Sequence, residues 1–110
     1  MKISFRSSRD VIIRTPDFDE AVRFYEGGMG FPVSYRSASL VGFDTGTFQL
    51  FVERGAAHAP VFDMLVVDVG AAKEKMLGAG CALIEEDRQQ PRCYVRDPFG
   101  MTFNIGRSAS

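Results

Sequence analysis

The amino-acid sequence predicts an α+β fold made of two βαβββ modules, and three observations carry the prediction. The order strand, helix, three short strands occurs twice along the 110 residues. Asp17 and Asp68 stand at the same strand-to-helix boundary, 51 residues apart. Glycines and other turn formers fall where each element has to stop. Half a chain of this size buries a sheet face poorly by itself, so a single domain over 1–110 is expected, with module one at about 8–54 and module two at about 60–107.

The first strand is the β-branched run Asp10-Val-Ile-Ile-Arg-Thr, ended by Pro16 and Asp17. Asp17 is placed to cap a helix with Glu20 three residues on, and Phe18, Ala21, Val22 and Tyr25 share one face of it. Gly27-Gly28 stops that helix. Three β-like pieces follow at 31–36, 39–44 and 47–53, with Gly46 among the residues that separate them. The small-residue stretch 55–60 reads as a hinge between halves. The order then resumes with a strand over Val61 to Val67 and a helix whose inner face is Val69, Ala72 and Met76, interrupted only by Lys73. Gly78 and Gly80 end the helix, strands are expected at 81–84, 92–96 and 101–106, and Asp97-Pro98-Phe99-Gly100 has turn chemistry between the last two.

Composition sets the outer bounds. With 45% hydrophobic and 25% charged residues the chain is globular in character, and a net charge of -1 gives no electrostatic reason to bind nucleic acid. No apolar run has the length of a membrane span and the first residues lack the apolar stretch of a secretory signal, so a cytoplasmic protein is expected. Cys81 and Cys93 match no zinc spacing and are read as reduced core thiols. No nucleophile with an evident base and no phosphate-binding glycine pattern is present, so no catalytic residue is assigned. His58, the one histidine, lies in the small-residue stretch and is read as an ordinary exposed side chain.

Several short segments, in this order, carry a family resemblance: Pro16-Asp17-Phe18-Asp19-Glu20-Ala21, Phe24-Tyr25, Met29-Gly30-Phe31, Val66-Val67-Asp68-Val69, Gly78-Ala79-Gly80 and Asp97-Pro98-Phe99-Gly100-Met101. Together the sequence resembles the vicinal oxygen chelate superfamily of glyoxalase I, bleomycin and fosfomycin resistance proteins and extradiol dioxygenases. The resemblance implies mixed sheets curled around a cavity with the helices outside, and a homodimer. Metal-dependent members place ligands on the first and last strand of each module. Counted from the aspartate that opens each helix, those positions fall on Asp10, Gln49, Val61 and Asn104. One carboxylate, two amides and a valine are a poor set for a divalent ion, so neither metal nor other cofactor is expected.

Strand alternation extends these positions to a whole face. Asp10, Ile12 and Arg14 share it on the first strand, Gln49 and Phe51 on the fourth, Tyr94 and Arg96 on the seventh, and Asn104 on the last, while Val11, Ile13, Leu50, Cys93, Val95 and Phe103 point to the helices. Such a face suits a small organic molecule with a flat ring or an acidic group, the arginines either meeting the acid or projecting at the rim. A metal-free binding protein is the first expectation. The alternative is a lyase or dioxygenase of the same superfamily with an atypical metal site or none.

Overall fold

The computed structural model describes residues 2–89 and 91–108. By its internal contacts the chain divides into two compact units, one of Arg9–Pro60 and one that joins the residues up to Ser8 to those from Val61 onward.

In the first unit the elements are β1 (Arg6–Thr15, shared at its start with the other unit), α1 (Phe18–Arg23), a π-helical turn (Phe24–Gly28), β2 (Val33–Arg36), β3 (Leu40–Asp44) and β4 (Gln49–Arg54). The strands lie in the order β2, β3, β4, β1, with β1 parallel to β4 and the other pairs antiparallel. The helix covers one face. Phe18 and Val22 bury against Val41, Phe43, Leu50 and Val52, with Ile13, Ala21 and Tyr25 packed around them. The expected helical face is therefore the one buried, although regular α-helix is only six residues long before it widens into the π-turn.

The second unit repeats the plan with β5 (His58–Val66, its residues up to Pro60 counted with the first unit), α2 (Val69–Gly78), β6 (Ala82–Asp87), β7 (Arg92–Arg96) and β8 (Thr102–Arg107), in the order β5, β8, β7, β6. Its core is Val66, Ala72, Cys93, Val95, Phe103 and Ile105, with Val69 and Met76 of α2 packed against it. Lys73 does not break this face, because its ammonium reaches Glu86 on β6 at 2.8 Å. The stretch expected to be a hinge is partly strand, since β5 begins at His58.

Helix capping differs between the modules. Asp68 is extended (φ −124°, ψ 101°) and accepts a hydrogen bond from the Ala71 amide at 3.0 Å. Asp17 (φ −88°, ψ 47°) makes no side-chain cap, contrary to the expectation from Glu20. Its own amide instead donates to Thr15 Oγ1 at 3.1 Å. Among the described residues, no helix is long and apolar enough to cross a membrane.

Candidate functional site

Each module carries its candidate residues on the sheet face that its helix leaves uncovered. In the first, register pairs Asp10 with Gln49, Ile12 with Phe51 and Arg14 with Glu53, while the alternate pairs Val11–Leu50 and Ile13–Val52 place Ile13, Leu50 and Val52 in the helix-side core. Period-two alternation therefore sends Asp10, Ile12, Arg14, Gln49 and Phe51 to the opposite face, as the sequence suggests. Gly42 sits opposite Phe51 on β3, and a Cβ there would lie 2.7 Å from Phe51 Cε1 and 3.1 Å from Ser34 Oγ. The missing side chain is what lets the ring lie across that strand. Ser34 Oγ donates to Gln49 Oε1 at 2.6 Å.

The charge of Arg14 is already engaged. Its Nη1 is 3.4 Å from Glu53 Oε1, its Nε donates to the Ala56 carbonyl at 2.8 Å, and its side chain is only 15% exposed. This pairing weakens the expectation that Arg14 receives a ligand's acidic group, because the local field is cancelled by the carboxylate beside it.

In the second module β5 and β8 pair Asp63 with Asn104, and β7 pairs Tyr94 with Asn104. Asp63 Oδ1 accepts from Asn104 Nδ2 at 2.9 Å, and Asp63 Oδ2 from Ser8 Oγ at 2.8 Å. Asn104 Oδ1 in turn accepts from the Cys93 amide at 2.9 Å. Because a backbone N–H can only donate, that last bond fixes which end of the amide faces Asp63. Gly106 makes room for the cluster, since a Cβ there would stand 3.1 Å from Asp63 Oδ1. Cys93 and Val95 face the core as expected, and burial first, then the Glu86 carboxylate, pushes the Cys93 thiol above its ordinary range.

Tyr94 is less available than expected. It is 4% exposed, and the Arg92 guanidinium lies 5.3 Å from its ring centre while binding Glu85 at 2.7 Å. Arg96 is exposed. Phe51 is half-buried and remains the more open of the two rings.

The register also corrects one ligand-equivalent position. Val61 is a buried residue at 1% exposure, and the residue across from Asn104, as Asp10 is across from Gln49, is Asp63. Counting back from the helix overshoots, because module two runs from this aspartate to its helix in two fewer residues than module one. Glu85 and Ser34 were also not singled out, since their roles depend on cross-strand neighbours. His58 is half-buried rather than exposed, with Nδ1 2.7 Å from the Ala59 carbonyl.

These residues do not fit a divalent cation. Each module offers one carboxylate and one amide, and the Asn104 oxygen that would ligate is held by Cys93 while its NH2 group faces Asp63. Among the described residues, no three His, Cys, Asp or Glu side chains converge. Neutral amide donors bring no charge to offset the ion's dehydration.

A strand, a covering helix and three more strands, given twice, with matching acid–amide pairs on the parallel strands, define the paired βαβββ class. The model of the glyoxalase-like domain matches residues 10–106, and the chain belongs to this family. Solved structures agree on the fold. A glyoxalase/bleomycin resistance protein/dioxygenase superfamily member from Vibrio splendidus 12B01 aligns with TM-score 0.63 at 14% identity, over 97% of this chain and all of the other. Methylmalonyl-CoA epimerase from Mycobacterium tuberculosis gives 0.61 at 14% identity, over 94% of this chain and 89% of that one. An extradiol ring-cleaving dioxygenase from B. fuscum gives 0.61 at 16% identity, where this chain covers 94% of itself but 33% of the enzyme. No curated protein matches the sequence.

Proposed function

We propose that this glyoxalase-like protein binds a small organic molecule bearing a flat ring and does so without a divalent metal. The observation that carries the reading is the hydrogen-bonded chain Ser8–Asp63–Asn104–Cys93, which commits the acid and amide of module two to each other. In module one, Phe51 offers the ring face, and Asp10 and Gln49 flank it on the same side of the sheet. Because Arg14 on this face is tied to Glu53, a neutral ring compound is a better match than an acidic one.

Elemental analysis of the purified protein, mass spectrometry of co-purifying small molecules, and calorimetric binding of the compound found, with and without chelator, test the reading together. Binding that is unchanged by chelator, with no ion per chain, is expected. One stoichiometric ion required for binding, or chelator-sensitive turnover of the compound, overturns it in favour of a lyase or dioxygenase.

A further inference from the structure

The two modules fill the space under their helices differently. Tyr25 and Met76 stand the same distance beyond Asp17 and Asp68, the aspartates at the start of the two helices. In the first unit the Tyr25 ring stacks on Phe31, with centroids 6.4 Å and planes 11° apart, and tilts against Phe43 at 5.9 Å. It is packed against the core of its own sheet. In the second unit the equivalent place holds a thioether, and beside it the core stays open: Met76, Met64, Met101, Phe5 and Phe103 line a cavity of about 140 Å3. Helix α2 supplies little else to close it, since Ala72, its fully buried residue, ends at Cβ.

Every side chain that lines the cavity is apolar. Water finds no hydrogen-bonding partners in such a space, and an apolar cavity of about 150 Å3 takes up benzene instead. The walls also favour a ring over an aliphatic group. Phe5 and Phe103 already meet edge-on, with centroids 6.1 Å and planes 87° apart, an arrangement that a further ring can extend. Three thioethers offer polarizable sulfur to a ring edge. A charged or hydroxyl substituent would lose its hydration here with nothing in return. We propose that this cavity is a binding site for a small neutral monocyclic aromatic molecule, which gives the second module the ring that Tyr25 gives the first. The site lies on the helix side of its sheet, in the other unit from Phe51, so the proposal does not rest on the small-molecule reading above.

Benzene is the probe, and NMR of the full chain labelled with 13C-methyl methionine reports its entry. The Met64, Met76 and Met101 methyl signals should move saturably under the ring current of the bound molecule, while Met29, on the other unit, stays in place. Benzene should also raise the thermal midpoint, because it binds the folded chain alone. Cyclohexane, which has no aromatic edge for the thioethers to meet, should raise it less. Met76→Phe fills the cavity from within and, once circular dichroism shows it folded, should lose both the signal shifts and the thermal response. If that variant does not fold, Met101→Phe, at a position already 37% exposed, gives the same reading. Methionine signals that stay put or move without saturating, a response to cyclohexane equal to that to benzene, or benzene binding retained by a folded filling variant would each overturn the proposal.

Discussion

Replacing Asn104 by alanine separates the roles of the two acid–amide pairs. The change removes a donor to the Asp63 carboxylate and the acceptor of the Cys93 amide, both at 2.9 Å. A hydrogen bond to a charged group contributes about 1.5–3 kcal/mol, and a buried amide left without its acceptor costs about 1–3 kcal/mol. Cys93 is 3% exposed, so water does not readily replace the lost acceptor, whereas Asp63 is half-buried and recovers part of its solvation. The expected total is about 2–4 kcal/mol. Gln49→Ala removes one neutral bond from Ser34 at an exposed site and should cost less than about 1 kcal/mol. Urea unfolding of both variants, read as a fall in midpoint at constant slope, measures the difference. If Asn104→Ala is within about 0.5 kcal/mol of Gln49→Ala, the Asp63–Asn104–Cys93 chain is not a structural unit and the case against a metal there loses its footing.

Four further outcomes follow from the same geometry. Asn104→Asp sets a second carboxylate beside Asp63, so the variant should be less stable than the parent and regain stability with added Mn2+ or Ca2+, as a thermal-shift titration would show; no response to the ion would count against the register. Leu50→Ala and Phe103→Ala should each cost roughly 2–5 kcal/mol, whereas Phe51→Ala should mainly lose bound ring compound, a contrast read by unfolding and calorimetry. Gly42→Ala forces the Phe51 ring aside and should destabilise by about 1–3 kcal/mol, with the cost largely relieved in the Gly42→Ala, Phe51→Leu double variant. Both thiols are raised above their ordinary range, chiefly by burial, with Asp97 adding to the effect at Cys81 and Glu86 at Cys93. The unfolded chain therefore loses these protons first. Stability should be full below the ordinary thiol range and fall as pH rises through it towards the folded values, by an amount that Cys93→Ala reduces in pH-dependent unfolding.

The period-two pattern made the two faces of each sheet legible, because the core residues Leu50, Val52, Val95 and Phe103 alternate with Gln49, Glu53, Arg96, Thr102 and Asn104, the rings of Phe51 and Tyr94 being the apolar exceptions on the other face. The helical faces were legible for the same reason at the other period. What sequence did not reveal was register. Asp63 became visible only once β5 and β8 were aligned, since the distance from strand to helix is not the same in both modules. Nor did the sequence show that Arg14 and Glu53, far apart along the chain, are cross-strand partners on β1 and β4. Capping failed at Asp17 although its sequence signature is the fuller one, because the Thr15 hydroxyl offers the Asp17 amide a partner just before the helix and the backbone there leaves the extended conformation that a cap needs.

Strand β1 crosses from one compact unit to the other between Ser8 and Arg9, with no loop at the crossing. Phe5 packs edge-on to Phe103 at 6.1 Å and Ser8 bonds to Asp63, so the second unit is completed by residues that precede the whole of the first in the gene. The second unit is therefore not a contiguous stretch of coding sequence, whereas the first is. A cut in the 55–60 stretch would give a C-terminal fragment lacking its aromatic partner and its serine, and an N-terminal fragment carrying both to no purpose. Split-reporter or fragment-complementation designs would do better to keep the first eight residues joined to the second half by circular permutation, opening the chain within β1 itself.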